Sequence, residues 1–383
     1  MGGQFNPHPY RKEFPFTKQL VYLNHAAEGP LPLSSLKAAQ NYYRYLTLEK
    51  VTAGHDYQFS SLEKSRKLAA RLIGAKVSEI GVTPNTSYGL NVVAQGLKLR
   101  RGDTVLLSDV EFPANVYPWL NLRQDGVKIK LIKTKNGFFS VDNFLEAIDS
   151  SCRVLTVSFV QYFNGYKNDL ETLGGICKEK GLVFVVDGMQ GVGSQTIDVK
   201  KCKIDFLSCG GGKWLLSAPG SGFFYVSEEL QKRLKPVFFG WLGVDWRLHF
   251  EDLQHYDKPP FASARKFEIG TYPYAELQIL ASSLKLIAKV GVPTIQEHTQ
   301  GLLDLLIDYL LDSGYEIKSS LASKHRSGIL SFTCRNAEHL HRKLFRQKII
   351  CSYREKSLRI APHFYNTAEE MERLIDVLGK NRL

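Results

Sequence analysis

Between about residues 75 and 226, short runs of apolar and β-branched residues alternate with longer stretches of mixed polarity. Thr104–Ser108, Val154–Val160, Leu182–Asp187, Asp205–Cys209 and Gly222–Val226 have the length and composition of strands. Between two of them, Asp169–Lys180 reads as a helix that stops at Gly181. Strands joined by helical crossovers predict an α/β domain, its mostly parallel sheet covered by helices on both faces. Ligands of such sheets sit beyond the carboxyl ends of the strands, so the residues just after each run matter most.

Beyond Pro236 the pattern changes to an aromatic, irregular stretch that lasts to Phe261. Amphipathic helical patterns follow at Tyr274–Val290 and Ile295–Ser313, then strand-like runs at Ser327–Thr333 and Leu358–Ile360. A last helix is expected over Thr367–Leu378, capped by Asn366 or Thr367, with Glu369 and Glu370 in its first turn. This half reads as a smaller α+β domain. With 383 residues, two domains are the expectation: an N-terminal arm over 1–20 packing with the small domain, a large domain over 21–255 and a small one over 256–383.

Composition narrows the class. Hydrophobic residues at 44% and charged residues at 23% suit a chain that is globular throughout. No uninterrupted apolar run reaches membrane-spanning length, the first eighteen residues carry no export-signal core, and Asn6 stands where a myristoylation signal has Ser or Thr. A cytoplasmic protein without membrane contact is expected. The six cysteines, at 152, 177, 202, 209, 334 and 351, form no CxxC pair and no zinc-like pattern with histidines, so reduced thiols and no metal are expected. The net charge of +12 comes in short runs such as Lys200-Lys201-Cys202-Lys203, which suits a solvated basic surface or a field for anionic ligands better than nucleic acid.

Two segments carry candidate chemistry. In Leu182–Gly193 an apolar run ends on Asp187, where a parallel strand should deliver its last side chain to the site; a helix-capping aspartate is the other reading, and the segment alone leaves both open. Further on, Lys213 lies in a glycine-rich turn between Asp205–Cys209 and Gly222–Val226. A lysine in a loop is usually solvated, but this one has tight, apolar flanks. An ammonium held there loses hydration, which lowers its pKa and favours the nucleophilic amine. Trp214 occupies the place of the P-loop Ser or Thr, so the turn is not a phosphate-binding P-loop.

Asp187-Gly-Met-Gln190, Lys213 followed by Pro219-Gly-Ser-Gly222, and Phe267-Glu-Ile-Gly270-Thr271 stand in the order and at about the spacing of the class V aminotransferase family. The chain resembles that family, the fold-type-I pyridoxal-phosphate enzymes that include cysteine desulfurases, kynureninases and isopenicillin N epimerase. The resemblance runs from Tyr22-Leu-Asn-His-Ala-Ala to Arg359-Ile-Ala-Pro-His-Phe-Tyr-Asn-Thr367. It implies a large domain with a seven-stranded type of sheet, a pyridoxal 5'-phosphate cofactor in a Schiff base with Lys213, and Asp187 against the pyridine nitrogen, where a carboxylate keeps the ring protonated and a better electron sink.

The same resemblance implies the remaining roles. Gln190 would donate to the cofactor's phenolic oxygen, and Tyr162 would lie near it, with Gln161 competing for that place. Phe112 would cover one face of the ring, although a core phenylalanine is the alternative. Thr86 and Ser87, at a helix start that suits an anion, would hold the phosphate, and Thr271 would reach the phosphate of a neighbouring subunit, which implies a homodimer with shared active sites. Arg359 would grip a substrate carboxylate in a forked pair, with Arg354 a second candidate, and Asn24 and His25 would line the substrate pocket unless His25 is simply structural.

Two departures stand out. Where the family often has Ser-x-His-Lys, this chain has Gly210 and Gly212, which shifts the expected phosphate contacts toward backbone amides or Ser208. A desulfurase needs a cysteine on a mobile loop, and Ile349–Arg359 is too short to form one, with Cys351 in a strand-like run. The expected function is therefore an amino-acid-transforming enzyme, by transamination or related chemistry at Cα or Cβ. Desulfurase or C–S lyase, epimerase, and a non-catalytic cofactor-binding protein are the alternatives.

Overall fold

The computed structural model describes residues 5–49, 56–245, 254 and 256–380. A short strand, β1 (Val21–Tyr22), precedes the central sheet, made of β2 (Ile80–Val82), β3 (Thr104–Ser108), β4 (Lys128–Ile132), β5 (Cys152–Ser158), β6 (Val183–Asp187), β7 (Phe206–Gly210) and β8 (Gly222–Val226). The seven strands lie in the order β2-β8-β7-β6-β5-β3-β4, and only β8 runs antiparallel to its neighbours.

Side chains alternate between two cores. Leu106, Leu155, Phe184, Val186, Leu207 and Tyr225 enter one, and Val105, Val154, Val185, Phe206, Phe224 and Val226 enter the other. Burial on both faces explains why the parallel strands read as unbroken apolar runs. All five expected strands are present, the largest shift being Val154–Val160, which pairs as Cys152–Ser158. Both edge strands lie outside these expectations: β2 is only three residues long, and β4, of sequence Lys-Ile-Lys-Leu-Ile, carries exposed lysines that discourage further pairing.

The helices used below are α1 (Leu33–Arg44), α2 (Asp56–Ile73), α3 (Thr86–Gly96), α4 (Leu170–Lys180), α5 (Tyr274–Val290), α6 (Val292–Asp312), α7 (Ala337–Arg346) and α8 (Ala368–Gly379). Asp169 caps α4 by accepting the amide of Thr172, and Gly181 ends it at φ +68°. Thr367 and Glu370 form a capping box on α8. α6 starts at Val292, three residues before the expected Ile295, because Gly291 breaks α5 from it and Pro293 is tolerated in a first turn.

A second, antiparallel sheet is built from β9 (Glu316–Ile317), β10 (Leu330–Thr333), β12 (Ser352–Arg354) and β13 (Ser357–Ile360), while β11 (Ile349–Ile350) pairs in parallel with β1. Val21 and Leu23 thus join the core of the smaller unit with Leu303, Leu306, Leu358 and Leu374. The arm before them docks on the same region: Arg11 donates to the Tyr365 carbonyl at 2.9 Å and pairs with Glu370, and Phe14 stacks on Tyr365. Conversely, α5, read from sequence as part of the second domain, packs on α1 and α2 and buries Leu277, Leu280 and Leu284 in a core of the large sheet. The expected boundary between residues 255 and 256, and the middle of the irregular stretch before it, fall outside the described residues. Among the described residues no helix is long and apolar enough to cross a membrane.

Candidate active site

The carboxyl ends of β2, β3, β5, β6 and β7 lead into segments carrying Thr86, Phe112, Tyr162, Asp187 and Lys213, which gathers the chemistry of distant sequence positions at one edge of the sheet. Asp187 is the last residue of β6 and is buried, with its carboxylate accepting the Met189 amide at 2.9 Å. Burial raises its pKa to about 7, and the nearby charge of Glu111 pushes the same way, while the Met189 amide and the Lys213 ammonium oppose the rise.

Lys213 answers it with the opposite shift. Its pKa falls to about 8, mainly from burial; Arg359 and Arg354 depress it further, and Asp187 pulls it back. The turn that holds it is pinned by backbone bonds from Gly211 to Ser221 (2.7 Å), from Leu216 to Lys213 (3.0 Å) and from Gly29 to Gly212 (2.9 Å). Gly29 is required at this contact, since a Cβ there would lie 2.0 Å from the Lys213 carbonyl oxygen. The Phe112 ring centroid stands 5.5 Å from Lys213 Nζ, and 41% of Phe112 is exposed, so it faces the site rather than the core. Tyr162 meets Phe112 edge-on at 5.2 Å.

The helix α3 begins beside this turn. Asn85 caps it by accepting the amide of Tyr88 at 2.8 Å, leaving earlier first-turn amides for a ligand. Thr86 is buried, and its hydroxyl accepts the Gly210 amide at 2.9 Å; Ser87 is exposed. A cavity of about 540 Å³ opens next to Ser87, lined also by Asn91, Phe112, Pro113, Ala114 and Tyr117. At Gly212 an added Cβ would meet nothing closer than 3.8 Å, so the missing side chain leaves open space by the lysine turn.

Several expected contacts fall elsewhere. Ser208 is fully buried and its hydroxyl donates to the Thr86 carbonyl at 3.0 Å, so it is a strand-to-helix tie rather than a free phosphate ligand. Gln190 bridges two backbone segments instead of presenting its amide to the site: Nε2 donates to the Ala26 carbonyl at 2.9 Å and Oε1 accepts the Trp214 indole at 2.8 Å. His25 does not line a pocket. It is fully buried, with Nδ1 2.8 Å from the Ala361 carbonyl and Nε2 2.7 Å from the Tyr365 hydroxyl, and burial holds its pKa well below the usual value. Asn24 accepts the Ser352 hydroxyl.

Arg359 is buried, donating to the Tyr162 carbonyl and, at 3.1 Å, to Ser352 Oγ; Arg354 is exposed on β12, and Thr271 is exposed after Gly270. One hub escaped the sequence reading. Glu111 is buried and accepts from Asn115 Nδ2 (2.9 Å), Ser158 N (3.1 Å), Ser158 Oγ (2.6 Å) and Gln161 Nε2 (2.7 Å). Its signal in the sequence is an acid placed just past a strand, beside Phe112, with an Asn four residues on.

A buried amine with a lowered pKa, a buried carboxylate beside it, an exposed ring over the amine and a helix start beside the turn fit pyridoxal phosphate. The comparisons agree. The uncharacterized aminotransferase YcbU of Bacillus subtilis is 30% identical over 373 residues, 97% of this chain and 97% of that protein. A probable cysteine desulfurase of Methanothermobacter thermautotrophicus is 28% identical, over 96% of each chain. The apo structure of a cysteine desulfurase from Thermococcus onnurineus superposes with a TM-score of 0.89 at 25% identity, covering 100% of this chain and 99% of that one. The aminotransferase class-V family model matches residues 21–374, and the chain therefore belongs to this family of pyridoxal-phosphate-dependent enzymes.

Proposed function

We propose that the protein transforms an amino acid at Cα or Cβ, with Lys213 as the amine that attaches the cofactor and later carries the proton at the substrate α-carbon. The observation that carries this reading is the opposed pair of shifts: burial brings Lys213 down to about 8 and Asp187 up to about 7, so both can exchange protons near neutral pH. Bound there, pyridoxal phosphate supplies an electron sink that acidifies the substrate Cα–H bond. With the cofactor bound, Asp187 would keep the pyridine nitrogen protonated, Phe112 would cover the ring, and the start of α3 with Thr86 and Ser87 would receive the phosphate, helped by the Gly212 backbone. Arg359 orients the substrate carboxylate through N–H groups not taken by Tyr162 and Ser352.

Within the family, transamination or lyase chemistry ranks ahead of desulfuration. Cys351 is buried and its thiol is pushed up to about 12, which makes it a poor sulfur acceptor. The β12–β13 hairpin closes through Glu355 and Lys356, both at positive φ, a tight turn with no room for a mobile cysteine loop.

We also read the enzyme as a cytoplasmic homodimer in which Thr271 reaches the partner's phosphate; six free thiols suit a reducing compartment, and Val237, Phe238, Phe239 and Tyr117 are large apolar residues left exposed. Sedimentation showing a fully active monomer would refute the dimer. The main test is a panel of amino acids offered to the purified holoenzyme, with cofactor absorbance and products recorded. Lys213→Ala should keep the fold and lose the covalently held cofactor and turnover; wild-type turnover in that variant would overturn the assignment.

A further inference from the structure

Ser352 and Arg359 are register partners across β12 and β13, and Arg354 pairs with Ser357. Side chains alternate along a strand, so Ser352, Arg354, Ser357 and Arg359 all project from one face of the hairpin. That face meets the active site, because from it Arg359 reaches the carbonyl of Tyr162, whose ring contacts Phe112.

The two cations on this face are not neutralised. Arg359 uses one N–H on the Tyr162 carbonyl and one on Ser352 Oγ; a guanidinium has five, and its buried Nε has no partner. Arg354 is exposed at the mouth, and the one acid in the turn, Glu355, is engaged by the Tyr162 hydroxyl at 3.4 Å. Among the described residues neither guanidinium forms an ion pair with a carboxylate, and both repel the charge on Lys213. Diagonal neighbours on an antiparallel pair have backbones about 7 Å apart, which two long side chains can close onto two acidic groups of one small ligand.

We propose that the substrate is an amino acid with an acidic side chain, its α-carboxylate held by Arg359 and its side-chain carboxylate by Arg354. This rests on the reading of Arg359 as the carboxylate grip. Arg354 is then the specificity determinant: it stays hydrated at the mouth until a second carboxylate arrives, whereas Arg359 is fixed in place beforehand. A fork of charge-assisted bonds accounts for selectivity over a neutral side chain of the same length.

Calorimetric titration of the holoenzyme with unreactive acids separates the two layers. Succinate and glutarate should bind about tenfold or more tightly than butyrate and valerate, the worth of one added charge-assisted contact. Arg354→Gln should abolish that preference, whereas Lys180→Gln, an equal loss of charge at the end of α4 where the chain enters the amino end of β6, should leave the preference intact. Arg359→Lys should weaken both classes. Equal binding of mono- and dicarboxylates by the wild type, or a preference that survives Arg354→Gln or is lost equally in Lys180→Gln, would overturn the acidic side-chain proposal. Monocarboxylate binding indifferent to Arg359→Lys would instead remove the reading beneath it. With amino acids, aspartate or glutamate should surpass alanine in kcat/KM by at least the same factor in the wild type and in Lys180→Gln, and not in Arg354→Gln.

Discussion

Glu111 accepts both the backbone N–H and the hydroxyl of Ser158, at 3.1 and 2.6 Å, and Ser158 is the register partner of Asp187 on the neighbouring strand. The next amide, Phe159, donates to the Asp187 carbonyl at 2.8 Å. One buried carboxylate therefore fixes the end of β5 against the end of β6, where Asp187 enters the site, and also holds the segment that presents Phe112. Glu111→Ala would orphan donors from Ser158, Asn115 and Gln161, each costing about 1–3 kcal/mol when buried. A loss of about 3 kcal/mol or more is expected from the denaturant midpoint, with a smaller loss for Glu111→Gln; a wild-type midpoint for the alanine variant would contradict the clamp.

The buried pair also makes the stability of the cofactor-free protein depend on pH. Asp187 has a raised folded pKa, so from about pH 4 to 7 the folded state binds more protons than the unfolded one and stability falls as pH rises. Lys213 has a lowered folded pKa, so from about pH 8 to 10.5 the unfolded state binds more protons and stability rises with pH. These two groups together predict a minimum between about pH 7 and 8. Comparing Asp187→Asn with wild type by thermal unfolding across pH should remove the acidic limb; an identical profile would rule out the assignment of that limb to Asp187.

Gly29→Ala places a Cβ 2.0 Å from the Lys213 carbonyl oxygen and 2.9 Å from its carbonyl carbon, backbone atoms that cannot rotate away. The loop and the lysine turn must separate, breaking the bond from the Gly29 amide to Gly212. Weaker cofactor retention and slower turnover are expected, along with a loss of about 1–3 kcal/mol typical of overpacking. Dialysis against buffer without cofactor measures the first; retention equal to wild type would count against the close approach.

Arg66 and Glu268 form a fully buried forked pair, and Glu268 also accepts the Val82 amide at 3.0 Å, where β2 enters the turn leading to Thr86. Arg66→Leu leaves the Glu268 charge without its partner, an effect of about 3–5 kcal/mol. Replacing both with apolar residues of similar volume should recover much of that loss. A single variant as stable as wild type in chemical denaturation would show that the pair is not what neutralises Glu268.

What the sequence determined by itself was the placement of β3, β5, β6, β7 and β8 and of the turn that carries Lys213, because these depend on local rules: apolar runs between glycines and polar breaks, Asp169 and Gly181 around α4, and an acid at the end of a run. Asp187 and Phe112 were legible because strand ends and family spacing constrain them. Only the tertiary structure decided which polar groups are spent internally. His25 is held between Ala361 and Tyr365, residues more than three hundred positions away; Ser208 turns to Thr86, and Gln190 closes on Ala26 and Trp214. It also decided that α5 packs with the large sheet while Val21 and Leu23 belong to the small core. Each outcome depends on which groups meet across long loops, and a buried donor takes the nearest acceptor the fold supplies, a pairing that no local pattern encodes.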